Sequence, residues 1–177
     1  MPKLLQINSA VNFSSTGKIV EQLGTAARKD GWETYVAHGA RYVRTTELED
    51  LHTDSAIEER LHGITSKLLD SHGLGSVLST RHLVREIRRI KPDVIHLHNI
   101  HGYYINYPVL FSCLGDMDIP VVWTFHDCWP VTGHCAYFDL ANCQKWKTGC
   151  HHCELKSQYP SSIVDRCERN YQMKKKY

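Results

Sequence analysis

Short apolar segments with strand character alternate along this chain with segments that carry apolar residues at helical spacing. The first strand is predicted at Lys3–Ile7 and the next at residues 34–37, with a helix over residues 17–29 between them. Later runs at Val94–Leu97 and residues 121–125 are continuously apolar, which is typical of strands buried on both faces of a sheet. This alternation predicts an α/β fold with an open, Rossmann-like, doubly wound and mostly parallel sheet.

The remaining segments predict three more helices and one irregular region. Residues 55–69 form a helix that breaks at the glycines of residues 72–75, and Tyr107–Gly115 forms another. Residues 79–91 form a strong amphipathic helix, with Ser79 as its predicted N-cap. Residues 41–54 are polar and are predicted to be irregular.

Length and composition limit the class of protein. A chain of 177 residues that is 42% hydrophobic and 23% charged is close to one soluble globular domain. No apolar run approaches the ~20 residues of a membrane helix, and the N-terminus lacks the pattern of a signal peptide. We therefore predict a cytoplasmic protein with reduced cysteines. A net charge of +2 gives no support for a nucleic-acid partner.

A cysteine-rich stretch follows the last predicted strand. Four of its cysteines, at spacing C-x7-C-x6-C-x2-C, are predicted to bind a structural zinc ion through their thiolates: Cys135, Cys143, Cys150 and Cys153. Alternatives remain open, namely a histidine ligand (His134, His151 or His152), Cys128 in place of Cys135, or disulfides. Four thiolates leave no open position for water, so a catalytic metal is not expected.

Ligands of open α/β sheets bind at the carboxyl ends of the strands, and the first such loop precedes the helix at residues 17–29. Its residues Ser15, Thr16 and Gly17 would present backbone N–H groups and a helix dipole to a phosphate. The loop matches neither the P-loop nor the dinucleotide fingerprint, because the required glycines are absent. The structural alternative is a plain helix N-terminus capped by Ser15 or Thr16.

Two later loops place histidines at strand ends. His96 and His98 point to the same face, where they either bind a metal or serve as hydrogen-bonded core and pocket residues. His126 and Asp127 end the last strand, where a neutral imidazole would hydrogen-bond a substrate hydroxyl while the carboxylate fixes its tautomer. The structural alternative for His126 is an ordinary hydrogen-bonded residue.

Five blocks in this order resemble the N-terminal half of a glycosyltransferase family 4 enzyme: residues 6–9, 15–19, 91–104, 123–135 and 149–153. The most specific are Pro-Asp-Val-Ile-His-Leu-His-Asn, which begins at Pro92, and His-Asp-Cys-Trp-Pro-Val-Thr-Gly, which begins at His126. The closest resemblance is to bacterial transferases of capsule, exopolysaccharide and lipopolysaccharide assembly.

The resemblance implies a GT-B fold, in which two Rossmann-like domains face each other across a cleft. It implies a retaining transfer, of hexosyltransferase type, from a nucleotide-sugar to a glycan or lipid-linked acceptor without a catalytic metal. By the same resemblance, Ser15, Thr16 and Gly17 approach the donor diphosphate, and His126 and Asp127 are catalytic. Four residues are implied on the acceptor side: His98, Asn99, Tyr103 and Tyr104. Ser14 stands where the family usually has glycine.

The expected layout is a Rossmann-like acceptor-side domain at residues 1–127, a Cys-rich zinc-binding insert at 128–155, and the start of a following helix at 156–177. The donor would bind through a C-terminal domain that the chain lacks, so a truncated chain that is inactive alone is expected. The exposed arginines of residues 79–91 suggest peripheral contact with the inner face of the membrane. The rival interpretation is a noncatalytic, zinc-stabilised α/β binding module.

Overall fold

The computed structural model describes residues 1–51 and 55–177. Its main sheet has five parallel strands in the spatial order β5–β3–β1–β6–β7. In chain order these are β1 (Lys3–Ile7), β3 (Glu33–Ala37), β5 (Glu49–Asp50), β6 (Val94–Leu97) and β7 (Val121–Trp123). Two further short strands, β2 (Ala10–Val11) and β4 (Tyr42–Val43), pair with each other in parallel. The prediction of an α/β fold with a parallel sheet is confirmed.

Within the residues that the structure describes, five helices accompany the sheet: α1 (Ser14–Lys29), α2 (Ala56–Leu69), α3 (Val77–Ile90), α4 (Tyr107–Gly115) and α5 (Cys167–Lys174). Buried apolar residues form one cluster between the sheet and α3 and α4, which includes Leu5, Ile87 and Leu110. A second cluster joins α1 to the sheet through Val20 and Val36. Helices therefore cover both faces, because alternate residues of each strand point to opposite sides.

The strand order reverses direction next to β1. From β1 the chain moves outward to β3 and β5, then returns to β6 on the other side of β1. Such a switch point opens a crevice at the carboxyl ends of the two diverging strands, which is where open α/β sheets bind ligands. The loops that follow β1 and β6 are therefore the first places to look for a site.

Several predicted boundaries are wrong. The apolar run at residues 121–125 was predicted as a strand buried on both faces, but β7 lies at the sheet edge, where Val122 is 51% exposed. The N-cap of α3 is Ser76 rather than Ser79, whose hydroxyl donates to Glu58 at 2.6 Å. The N-cap of α1 is Phe13, without a side-chain bond, so neither Ser15 nor Thr16 caps the helix.

The polar region at residues 41–54 is less irregular than its composition predicts. It contains β4 and β5, and backbone pairing with neighbouring strands explains how such polar residues form strands. Residues 52–54 of this prediction lie outside the described residues.

The cysteine-rich segment contains only short 3-10 turns, at Trp129–Val131, Phe138–Ala141 and Lys145–Lys147. Helix α5 packs against it through Lys174, whose ammonium lies 3.5 Å from the Trp129 ring centre. The same ammonium donates to the carbonyl oxygens of Trp129 at 2.6 Å and Thr132 at 2.9 Å. Burial lowers the pKa of Lys174 to about 7, and these contacts compensate for its removal from water.

None of the helices in the described part of the chain is long and apolar enough to cross a membrane.

Candidate functional site

An open cavity of about 320 Å³ lies where β1, β6 and β7 end, and we call it the strand-end cavity. Its volume is within the range of small-molecule sites, and its place is the one expected from the strand order. The loop after β1, the start of α1, and the loops after β6 and β7 supply most of its lining: Ser9, Ala10, Phe13, Ser14, Ser15, Thr16, Tyr42, Asn99, His126, Asp127 and Tyr137.

The N-terminal turn of α1 forms one wall of the strand-end cavity. Ser15 and Thr16 line it, whereas Gly17 is buried behind them and is not part of the lining. A Cβ on Gly17 would lie 3.2 Å from the backbone nitrogen of Asn12, so glycine lets α1 approach the preceding loop closely. Ser14 has φ 56°, a left-handed conformation that favours glycine.

His126 also lines the strand-end cavity, and its ring is connected to the protein interior through buried His98 and then buried Gln6. His126 Nε2 lies 3.0 Å from His98 Nδ1, and His98 Nε2 lies 3.2 Å from Gln6 Oε1. The Gln6 amide nitrogen in turn donates to the Val20 carbonyl oxygen at 2.9 Å. These contacts connect β1, β6, α1 and the loop after β7 beneath the cavity.

Asp127 does not fix the tautomer of His126, contrary to the sequence-based hypothesis. Its carboxylate accepts from His101 Nε2 at 2.7 Å and from the Trp129 backbone N–H at 2.9 Å. The side chains of Asp127 and His101 are each only 5% exposed. Both residues lie in a bend after β7, and this bend directs the Asp127 carboxylate toward His101 instead of the adjacent imidazole.

Burial lowers the pKa of the three imidazoles beneath the cavity, which favours their neutral forms. Burial, with smaller effects from His96 and His126, lowers the pKa of His98 to about 3. Burial also lowers the pKa of His126, although the charge of Asp127 opposes this shift. The rings of His96 and His98 lie 4.0 Å apart, and those of His98 and His126 lie 5.3 Å apart. A second positive charge in this stack would be repelled by the first.

The four residues implied on the acceptor side occupy different places. Asn99 lines the strand-end cavity, and its backbone N–H donates to Asn8 Oδ1 at 3.2 Å. His98 is 1% exposed and lies behind His126. Tyr104 is buried and donates to the Asn99 carbonyl oxygen at 2.8 Å, while the Tyr103 ring packs against His72 at 4.8 Å. Of the four, Asn99 is therefore the one at the cavity surface.

Aromatic residues of the cavity were missed by sequence reasoning. The rings of Phe13 and Tyr42 stack at 5.4 Å, and Tyr137 contributes another ring from the cysteine-rich segment. Tyr42 and Tyr137 are 50% and 48% exposed. The sequence shows these aromatic residues within polar loops. It does not show that loops distant in the chain lie side by side at one cavity.

Comparison with known proteins places the chain in a family. The family model described as Glycosyltransferase Family 4 matches residues 16–158, which is most of the chain. The chain belongs to glycosyltransferase family 4. The match includes both His126 and the cysteine-rich segment.

One curated relative of this family-4 chain is the putative colanic acid biosynthesis glycosyl transferase WcaC of Escherichia coli (strain K12). The two are 38% identical over 93 residues, which cover 49% of this chain and 22% of WcaC. The chain therefore matches less than a quarter of the length of that relative.

Two solved structures show weaker similarity. The glycosyltransferase SsfS6 of Streptomyces sp. SF2575 matches with a TM-score of 0.39 and 17% identity, covering 72% of this chain and 40% of SsfS6. Its complex with thymidine diphosphate matches with a TM-score of 0.39 and 17% identity, covering 72% of this chain and 39% of the other.

In this family-4 chain the four predicted zinc ligands line one small cavity, which we call the cysteine cavity. Its volume is about 20 Å³, and His134 and Cys167 also line it. The His134 Nδ1 contacts Asp70 at 2.6 Å, while its buried Nε2 has no hydrogen-bond partner in the part of the chain that the structure describes.

The cysteine cavity does not form a metal site as its side chains stand. Across residues 1–51 and 55–177, no group of three or more Cys, His, Asp or Glu side chains is placed to hold a metal ion. Instead, the Cys135 thiol lies beside Cys153 and lowers the pKa of the Cys153 thiol. Cys150 accepts a hydrogen bond from the Gly133 N–H at 3.2 Å. The predicted zinc site at Cys135, Cys143, Cys150 and Cys153 is therefore not formed by these side chains as they stand.

Proposed function

We propose that this chain forms the acceptor-side part of an enzyme that transfers a sugar from a nucleotide-sugar to a glycan or lipid-linked acceptor in polysaccharide biosynthesis. The observation that carries the proposal is the strand-end cavity, which is lined by both His126 and the N-terminal turn of α1. Membership of family 4 supplies the reaction class. The name of WcaC supplies the biosynthetic context.

Two parts of the lining of the strand-end cavity suit the donor and the acceptor of such a reaction. Backbone N–H groups at Ser15 and Thr16, together with the helix dipole, would stabilise the donor diphosphate. The His126 imidazole, with Asn99 beside it, would accept a hydrogen bond from a sugar hydroxyl. The rings of Phe13 and Tyr42 offer a partly apolar surface for the C–H faces of a sugar.

Within this proposal the transfer retains anomeric configuration and moves a hexosyl group. The nucleotide-sugar is held by a second Rossmann-like domain of a GT-B fold that faces the strand-end cavity. Residues 1–127 are the acceptor-side domain, and residues 128–155 are an insert beside it. Tyr137 supports this division, because it brings the insert to the edge of the cavity.

The test is a transfer assay with this chain supplied together with a cognate C-terminal half. Nucleotide-sugars are the donors and lipid-linked glycans the acceptors. We expect His126→Ala to lower kcat by about 100-fold or more, the usual contribution of a positioned acid or base. His82→Ala is the control and should retain activity, because His82 belongs to α3, which does not line the strand-end cavity. A well-folded reconstituted enzyme without turnover, or one that His126→Ala leaves unchanged, would refute the proposal.

We also propose that the cysteine cavity binds one structural zinc ion. The donor set supports this, since four thiols and the unpartnered Nε2 of buried His134 line the same cavity. Because the side chains as placed do not group around one point, they would have to rotate to bind the ion. Metal analysis of protein purified without chelator should give about one zinc per chain. A folded, metal-free protein would refute this.

We further propose peripheral contact with anionic lipid at the inner face of the membrane. Four exposed arginines of α3 support it: Arg81, Arg85, Arg88 and Arg89. Binding to vesicles that contain anionic lipid should weaken when these residues are changed to glutamate. Binding that is insensitive to this reversal would remove the idea.

A further inference from the structure

We propose that Gln6 and His98 are positioning residues that hold His126 in the tautomer protonated on Nε2, which leaves Nδ1 as the nitrogen available to a substrate hydroxyl. The role of Nδ1 rests on the proposed function. The directed hydrogen bonds that set the tautomer do not depend on it.

The direction of these bonds starts from a backbone group. The Val20 carbonyl oxygen can only accept, so the Gln6 atom 2.9 Å away must be the amide nitrogen. The flipped amide would bring two oxygens together at this distance. Gln6 is completely buried, and a Cβ on Gly24 would lie 3.0 Å from its amide nitrogen, so the side chain has little room to turn.

The orientation of Gln6 determines the tautomer of His98. Once the amide nitrogen faces Val20, the Oε1 atom faces His98 Nε2 at 3.2 Å, and an amide oxygen can only accept. The proton of the neutral His98 ring is therefore on Nε2, and Nδ1 carries the lone pair. Protonation of both nitrogens is opposed by burial, because His98 is 1% exposed.

The tautomer of His98 determines that of His126 in the same way. The His98 Nδ1 lone pair lies 3.0 Å from His126 Nε2, so His126 must donate and its proton is on Nε2. The two rings are nearly parallel, with 14° between their planes. His126 Nδ1 is then unprotonated, and the ring lines the strand-end cavity. A buried glutamine thus determines which nitrogen of a cavity residue is basic.

The neighbouring polar groups do not change the hydrogen-bond directions along Gln6, His98 and His126. His96 lies beside His98 but its Nε2 contacts the Thr124 hydroxyl at 2.8 Å instead. Asp127 is occupied by His101 and by the Trp129 N–H. Asp127, the carboxylate next to His126 in sequence, therefore does not compete with His98 for a hydrogen bond to the His126 ring.

The test is NMR spectroscopy of the full chain labelled with ¹⁵N-histidine at pH 7.5. We expect one proton bonded to His126 Nε2, with a scalar coupling across the hydrogen bond to His98 Nδ1, and one bonded to His98 Nε2. His98→Phe should abolish the coupling. Gln6→Met should shift the shared proton toward His98 Nδ1, because Nε2 then lacks its acceptor. Thr124→Val removes only the contact to His96 and is the matched control, so the coupling should persist.

The wild-type spectrum decides the inference even where a core variant does not fold. A shared proton bonded to His98 Nδ1, or the absence of coupling, would overturn it. In the transfer assay, Gln6→Met should lower kcat about twofold or more at unchanged KM, because about half or more of the population then has the wrong tautomer. If the coupling is found but His126→Ala transfers sugar normally, the proposed function fails and the hydrogen-bond order stands.

Discussion

His62 offers a quantitative test of how buried histidines stabilise this chain. The side chain is 2% exposed, and its Nε2 accepts from the backbone N–H groups of Gly73 at 3.1 Å and Gly75 at 3.0 Å. Its Nδ1 contacts the Tyr103 carbonyl oxygen at 2.7 Å, so the ring must be the Nδ1–H tautomer. His62 therefore connects α2 to the turn at residues 72–75 and to the loop after β6.

His62→Leu removes these bonds at similar volume. The buried Gly73 N–H and the partly buried Gly75 N–H then lack an acceptor. At roughly 1–3 kcal/mol each, we expect a loss of about 3 kcal/mol in unfolding free energy at pH 7.5. With a urea m-value of about 2 kcal/mol/M, the midpoint should fall by about 1.5 M.

The cost of this substitution should shrink in acid. Burial lowers the pKa of His62 to about 4, from the ordinary value of about 6.5. A histidine with a depressed folded pKa binds fewer protons than the unfolded chain, so wild type loses stability as pH falls below 6.5 toward 4. At pH 5.0 this loss is about 2 kcal/mol for wild type and is absent in His62→Leu. The difference between the two proteins should therefore fall to about 1 kcal/mol.

The assay is urea unfolding at pH 7.5 and pH 5.0, followed by tryptophan fluorescence. His82→Leu on α3 is the control, because the His82 ring is only partly buried and its contact to Arg85 is 3.4 Å long. We expect it to cost no more than about 0.5 kcal/mol at pH 7.5. The reasoning would be refuted if the difference in unfolding free energy between wild type and His62→Leu were the same or larger at pH 5.0 than at pH 7.5.

Three further substitutions test other features by urea unfolding at pH 7.5. Ser14→Gly should raise unfolding free energy by about 0.5–1 kcal/mol, because φ 56° strains a residue with a Cβ and glycine relieves it at some entropic cost. Asp127→Asn should lower it by about 2 kcal/mol, because it removes the carboxylate that accepts hydrogen bonds from buried His101 and from the Trp129 N–H. Gly133→Ala should lower it by about 3 kcal/mol, because the new Cβ would collide with the Cys167 carbonyl oxygen.

Each substitution has a matched control. Ser15→Gly, one residue into α1, should be destabilising by about 0.5 kcal/mol, since no strain is relieved there. Asp139→Asn, at an exposed position, should change stability by less than about 0.5 kcal/mol. Gly115→Ala, with open space around the new Cβ, should be neutral or stabilising. If a test substitution changes the unfolding free energy by the same amount as its control, the cause stated for that substitution is wrong.

Burial explains why the roles of many of the twelve histidines in this chain were hard to predict from the sequence. His62, His98 and His101 are each at most 4% exposed and each ring contacts hydrogen-bond partners. Their partners are distant in the chain: His98 contacts Gln6, and His101 contacts Asp127. A histidine next to an aspartate in sequence therefore says little about which carboxylate it meets.

The sequence alone predicted the order and type of the main elements and the end of the sheet at which the strand-end cavity lies. Lys3–Ile7, Val94–Leu97 and Tyr107–Gly115 have the bounds that were predicted. Periodicity is a local property, so apolar runs and helical spacing are sufficient to recognise such segments. The rule that ligands bind at strand ends then directed attention to Ser15, Thr16, Asn99 and His126, which do line one cavity.

Only the tertiary structure decided how these residues are paired. Parallel pairing of β1 with β6 and of β6 with β7 brings Gln6, His98 and His126 together, although 92 residues separate the first two. The same packing turns Asp127 toward His101 and leaves β7 at the sheet edge. Hydrogen-bond partners and strand exposure depend on register and strand order, which involve distant parts of the chain and are not encoded in local spacing.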